Sequence, residues 1–180
     1  SFVVQTEAVG TADAVQAADG WVGTSDFVVL NADNLYGVKT LRALYGAGGP
    51  ALPVYERDQL VQSSAIPPER VASFALLTVS PDGILQDIVE KPGAAALEAA
   101  GPRALISMNC WRGDSRLMDA CSDVERSPRG ECELPMAVRL AIGRGVVFRG
   151  LAATGPVLDL SRREDVRGVV GRLAGVEPRP

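Results

Sequence analysis

Asp26-Phe27-Val28-Val29-Leu30-Asn31-Ala32-Asp33-Asn34-Leu35-Tyr36-Gly37 is the stretch around which the chain reads. Phe27 to Leu30 form an unbroken apolar run rich in valine, which suits a strand buried on both faces of a parallel sheet. The run stops abruptly at Asn31-Ala32-Asp33-Asn34. A carboxylate at the carboxyl end of a buried strand stands where open α/β sheets bind ligands. Asp and Asn also form turns by bonding their own backbone, so this stretch by itself leaves a turn reading open.

Working outward, composition narrows the choices. The chain has 180 residues, 47% hydrophobic and 22% charged, which describes a globular chain long enough for a real core. It reads as one domain over residues 1–180. No apolar run reaches the length of a membrane span, and Ser1 to Ala8 lacks the basic start and apolar core of a secretory signal. The net charge of −4 argues against nucleic acid as the main partner. Arg162, Arg163, Arg167 and Arg172 are interrupted by Glu164 and Asp165, as on a solvated helix face. Cys110, Cys121 and Cys132 are odd in number and show no C-x-x-C spacing, which favours reduced thiols and a cytoplasmic setting. The chain has no histidine, so Ser-His-Asp and Cys-His nucleophilic sites are excluded. Phosphoryl or nucleotidyl transfer remains open, because an attacking phosphate is already ionised at neutral pH.

The periodicities predict strands at Phe2–Gln5, Phe27–Leu30, Ala51–Tyr55, Val71–Val79, Ile84–Val89, Ala104–Trp111 and Val146–Leu151, with a further strand at Val157–Leu160. They predict helices at Thr11–Ala18 (Thr11 as N-cap), Val38–Tyr45, Ser115–Cys121, Leu134–Ile142 and Arg163–Leu173. Ser80-Pro81-Asp82-Gly83 joins two apolar runs into a hairpin. Gln59–Arg70 reads as irregular and Gly93–Pro102 as mobile. The alternation of strands and helices predicts a three-layer α/β sandwich with a mostly parallel mixed sheet.

The motifs follow one order. Gln5 precedes Gly10-Thr11-Ala12-Asp13-Ala14, then Asn31 to Gly37, Pro81-Asp82-Gly83 and Val89-Glu90-Lys91-Pro92. Ile106-Ser107-Met108-Asn109-Cys110-Trp111 and Gly130-Glu131-Cys132-Glu133-Leu134-Pro135 come after. Over nearly its whole length the chain resembles the sugar-phosphate nucleotidyltransferases, the NDP-sugar pyrophosphorylases. The resemblance implies the Rossmann-like fold of nucleotide-diphospho-sugar transferases. It also implies reaction of a nucleoside triphosphate with a sugar 1-phosphate, giving an NDP-sugar and pyrophosphate.

Roles follow residue by residue from that resemblance. Gln5 matches a glutamine that binds the base, and Gly10 a glycine over which the base packs. Asp33 matches a catalytic aspartate that binds Mg2+. Asp159, in Val157-Leu158-Asp159-Leu160-Ser161, stands where a Trp-x-Asp-x-Gly motif supplies the second Mg2+ ligand. The tryptophan and glycine are absent, so a turn or N-cap aspartate is the other reading of Asp159. Glu90 matches a sugar-hydroxyl ligand and Lys91 a catalytic lysine that meets the sugar phosphate, as a carboxylate acceptor and an ammonium would. Ala75 stands where a glycine often offers its backbone to the sugar. Asn109 could reach the sugar or serve as a structural amide.

One family feature has no match: the glycine-rich Gly-x-Gly-Thr-Arg-x-x-Pro loop that wraps the triphosphate. The expectation is an N-terminally truncated chain, or half of a split protein, with an open sheet edge or apolar gap and crippled triphosphate binding. A homo-oligomer or a missing N-terminal segment would cover that gap. Two further functions stay in view. One is a non-catalytic, sugar-phosphate- or nucleotide-binding regulatory subunit. The other is a related nucleotidyltransferase using a molybdopterin or isoprenoid-precursor acceptor, which Glu90-Lys91-Pro92 disfavours.

Overall fold

A computed structural model describes residues 1–64 and 66–175. Helices α1 (Thr11–Gln16) and α2 (Asp19–Val22) lead into strand β1 (Phe27–Leu30) and the short β2 (Asn34–Leu35). Helix α3 (Val38–Tyr45), strand β3 (Ala51–Glu56) and helix α4 (Arg57–Ser63) follow, then a 3-10 helix at Pro68–Ser73. The hairpin β4 (Ala75–Val79) and β5 (Leu85–Val89) precedes α5 (Gly93–Ala100), β6 (Leu105–Ser107) and β7 (Cys110–Gly113). The chain ends in α6 (Ser115–Asp123), α7 (Leu134–Gly143), β8 (Arg149–Ala152), β9 (Leu158–Asp159) and α8 (Asp165–Leu173).

The sheet corrects the expected strand direction. Along the path β1-β7-β3-β6-β4-β5 every pairing is antiparallel, and only β8 runs parallel to its neighbour β3. The sheet is therefore mostly antiparallel, not mostly parallel. Apolar runs and helix–strand alternation do not encode direction. Here β4 and β5 return through a tight turn, and β6 and β7 are two pieces of one strand antiparallel to β3. The break between those pieces falls at Asn109, whose φ of +52° is a left-handed conformation.

The three layers are present. Along β3, Leu52 and Val54 face a core with Ala12, Trp111, Leu117, Val138 and Phe148, on the side of α1, α6 and α7. Ala51 and Tyr55 face a second core with Leu44, Leu60, Val71, Leu97 and Ile106, on the side of α3, α4 and α5. β3 is thus the strand buried on both faces. The run Phe27–Leu30 instead makes an edge. Phe27 and Val29 pack on the first core while Val28 and Leu30 are exposed, and β7 is its partner.

Other local expectations also shift. Phe2–Gln5 forms no strand, and Phe2 is fully exposed. Thr11 is not an N-cap: Gly10 precedes the helix, and the Thr11 hydroxyl accepts the Leu134 N–H at 2.9 Å, tying α1 to α7. The segments read as irregular and mobile hold α4, the 3-10 helix and α5, because Leu60, Val71 and Leu97 bury there. Ala65, inside the first of them, lies outside the described residues. No helix among the described residues is long and apolar enough to cross a membrane.

Candidate functional site

The sequence places Asp33 and Asp159 far apart, and a two-stranded sheet joins them. β2 pairs antiparallel with β9 in the register Asn34↔Asp159, and the Leu160 N–H donates to the Asp33 carbonyl at 2.9 Å. The Ser161 hydroxyl oxygen lies 2.6 Å from Asp159 Oδ1 and 3.0 Å from Asp33 Oδ2. Its single proton serves one carboxylate at a time.

A cavity of about 400 Å³ opens beside this pair, lined among others by Asn34, Glu90, Lys91, Asn109, Asp159 and Arg162. Lys91 and Asn109 are the two non-glycine residues with positive φ among those described, at +47° and +52°. Strain of this kind persists only where surrounding structure enforces it, and it gathers at ligand sites. The enforcement is visible at Asn109. The buried Tyr36 hydroxyl lies 2.7 Å from the Met108 carbonyl and 3.2 Å from that of Asn109. Burial pushes the Tyr36 phenol far above its ordinary range, so it stays a neutral donor.

Two acceptors in this wall have no partner. Asn34 Oδ1 and Glu90 Oε2 are buried with no hydrogen bond, although Asn34 Nδ2 donates to Tyr36 Oη at 3.2 Å. Buried acceptors without donors are rare. Burial raises the Glu90 pKa, the neighbouring Glu133 raises it further, and Lys91 and Arg129 pull against both. Among the described residues neither Lys91 nor Arg162 enters an ion pair, so both present free positive charge to the cavity.

Gln5 and Gly10 meet each other away from this cavity. Gln5 Nε2 donates to the Gly10 carbonyl at 3.0 Å and to Asp13 Oδ2 at 2.7 Å. They flank a second cavity of about 460 Å³, lined by Val4, Thr6, Glu7, Val9, Asp13, Gln16, Ala17 and Arg126. Gly10 has φ +126°, and a Cβ there would lie 2.3 Å from the Cys132 carbonyl oxygen, so only glycine fits. Ala75 is buried in the first core and does not line the cavity; its neighbours Ser73 and Phe74 do.

Sequence reasoning missed Arg70, Asn34, Tyr36 and Ser161. Arg70 Nη2 lies 2.8 Å from Asp159 Oδ1, and Nη1 lies 2.7 Å from both oxygens of Asp165. Burial opposes the Arg70 charge, but the hydrogen bond to Asp165 and the two carboxylate charges outweigh it and raise its pKa.

A magnesium site must be tested against these contacts. Mg2+ prefers near-octahedral oxygen ligands at about 2.0–2.1 Å, with one or two carboxylates and the rest phosphate and water. Asp33 fits, being exposed and bound only to a hydroxyl through its side chain. Asp159 does not fit as it stands. Its side chain is 2% exposed, and Oδ1 receives Arg70 Nη2, the Ser161 N–H and the Ser161 hydroxyl. Among the described residues no three His, Cys, Asp or Glu side chains gather as a metal cluster.

The fold and site define a nucleotidyltransferase-like α/β protein with a polar, partly cationic cavity. No family model matches the chain. The low-salt glycan biosynthesis nucleotidyltransferase Agl11 of Haloferax volcanii is 27% identical over 172 residues, covering 92% of this chain and 43% of that protein. A UDP-glucose pyrophosphorylase complexed with UDP-glucose superposes with TM-score 0.75 at 18% identity, covering 97% of this chain and 66% of that one. A putative glucose-1-phosphate thymidylyltransferase from Bacillus anthracis gives TM-score 0.74 at 17% identity, covering 100% of this chain and 67% of that one. These solved structures show that the chain has a nucleotidyltransferase-like fold, and its sheet is mostly antiparallel. The chain spans less than half of the Haloferax relative and about two thirds of the two solved structures.

Proposed function

We propose that this chain is the sugar-phosphate-binding part of a sugar-1-phosphate nucleotidyltransferase. The observation that carries this reading is the convergence of Glu90, Lys91, Asn34 and Asn109 on one polar cavity. Sugar hydroxyls would donate to the Glu90 carboxylate and the Lys91 ammonium would meet the phosphate. The Haloferax relative is a nucleotidyltransferase by name and one solved structure a putative glucose-1-phosphate thymidylyltransferase, which agrees with that chemistry.

In the proposed reaction a phosphate oxygen of the sugar 1-phosphate forms a bond to the α-phosphorus of a nucleoside triphosphate. The bond from that phosphorus to the bridging oxygen breaks, and pyrophosphate leaves with the electron pair. Lys91 offsets the charge of the attacking phosphate, and Glu90 with Asn34 orients the sugar. Gln5 and Gly10 shape the place for the base, and Asn109 shapes the cavity wall. The backbone of Ala75 is the remaining sugar-side candidate. Asp33 would hold Mg2+, which supplies neutralisation of phosphate charge when bound. No glycine-rich triphosphate loop is present in residues 1–180. We therefore place the chain as a partial unit of one nucleotidyltransferase domain with impaired activity alone, in a cytoplasmic, reducing setting that keeps its three cysteines free.

Radiolabelled pyrophosphate exchange tests this reading, using sugar 1-phosphates, common triphosphates and Mg2+. Weak or no exchange is expected for residues 1–180. Robust exchange is expected once the upstream reading frame is included, falling about a hundredfold or more in Lys91→Ala. No exchange by the extended protein with any common triphosphate overturns the enzyme reading. The second reading, a non-catalytic sugar-phosphate-binding subunit, draws support from the engagement of Asp159 by Arg70. It is favoured if sugar phosphate binds without turnover.

A further inference from the structure

Arg70 stands where the resemblance would place a metal. Its side chain is 7% exposed, and it contacts Asp159 on one side and Asp165 on the other. The Asp159 carboxylate is almost fully enclosed, and three donors converge on Oδ1. A buried carboxylate needs a positive partner, and this one has it within the chain. Among the described residues Asp159 Oδ2 accepts no hydrogen bond, so a divalent cation there would leave these donors in place but sit beside a guanidinium of like charge. The guanidinium cannot step aside by losing its proton, since it stays charged throughout the accessible pH range. Its other carboxylate, Asp165, also accepts the Arg162 N–H at 2.8 Å, which anchors the arrangement at the start of α8.

From this geometry we infer that Arg70 is the resident counter-cation of Asp159, and that Asp159 is withdrawn from metal binding. A divalent cation in this chain is held through Asp33 alone among the protein carboxylates. Asp159 then acts as a positioning residue. With Arg70 it holds β9 and the 3-10 helix together, and it accepts the Ser161 N–H. This inference rests on the proposed nucleotidyltransferase reading for placing a metal at Asp33. It also predicts a binding pattern distinct from that of a two-aspartate site.

Mn2+ alone is the probe, read by the loss of the free-ion electron paramagnetic resonance signal. Turnover is not needed, so this result and the pyrophosphate exchange result can fail separately. The comparison uses the wild type, Asp33→Asn, Asp159→Asn and Arg70→Met, each checked for folding by circular dichroism. Asp159→Asn is expected to bind Mn2+ within about twofold of the wild type, and Asp33→Asn to lose about tenfold or more. Arg70→Met, which frees Asp159, is expected to gain about tenfold. Equal losses in Asp159→Asn and Asp33→Asn overturn the inference, as does a folded Arg70→Met that binds no better than wild type. If Arg70→Met does not fold, the contrast between the two asparagine variants decides. A wild type that binds no Mn2+ also overturns the inference, since Asp33 would then hold no cation.

Discussion

Glu90 shows most directly how a residue can be legible while its state is not. The Glu90-Lys91-Pro92 motif names the residue, but burial and Glu133 set its protonation by raising its pKa above the ordinary 4.5. A carboxyl with a raised folded pKa holds its proton longer in the folded state than in the unfolded one. Stability therefore declines as pH climbs from about 4.5 through the raised value, and is flat beyond it. Thermal melts across pH 4 to 8 are expected to show that decline, and Glu90→Gln is expected to flatten it. Gly10 carries a steric prediction. Gly10→Ala would force a Cβ against the Cys132 carbonyl at a positive φ. Urea unfolding should show a loss of at least about 2 kcal/mol. Arg70 lay outside sequence reasoning because its partner Asp159 is 89 residues away. A lone arginine among prolines and glutamate carries no spacing signal.

At the scale of elements, the sequence located most helices and strands but not their pairing. Period and turn residues mark Val38–Tyr45, the Ser80–Gly83 hairpin and the start of the last helix, since those signals are local. The direction of each strand is set by what it packs against, which is not local. The bend between β6 and β7 is an example: nothing in Ile106-Ser107-Met108-Asn109-Cys110 announces a break. The buried Tyr36 hydroxyl bonds to the carbonyls at that break. Tyr36→Phe leaves Met108 O only the longer bond from Asn34 Nδ2 at 3.4 Å and is expected to lower stability by about 1–2 kcal/mol in denaturant unfolding. It should also weaken sugar-phosphate binding, because Asn34 and Asn109 both lean on that hydroxyl. The β2–β9 pairing likewise escaped a reading of either stretch alone. The ordered motifs nevertheless named both Asp33 and Asp159, and the fold brings them together.

For the whole molecule, the salient feature is the uncovered edge at β1. Val28, Leu30, Val38, Leu41 and Tyr45 line an apolar groove of about 380 Å³ with Arg42. Most of these side chains are exposed, as are Phe2 and Val4. An open apolar strand edge invites pairing with another strand. Sedimentation velocity is expected to show concentration-dependent association, which the double change Val28→Lys and Leu30→Lys suppresses. A wild type that stays monomeric at all concentrations would show that this edge does not self-pair. The composition gave the globular class, but an apolar run cannot say whether a strand lies in the middle of a sheet or at its edge.

The proposed sugar-phosphate pocket is built by Glu90, Lys91 and Asn34 beside Asp33. Isothermal titration with glucose 1-phosphate, on the wild type and on Lys91→Ala, tests it most directly. Saturable one-site binding is expected, weakening about tenfold or more in the variant, as loss of a charge-assisted phosphate contact requires. No binding, or binding of equal strength in Lys91→Ala, would contradict it.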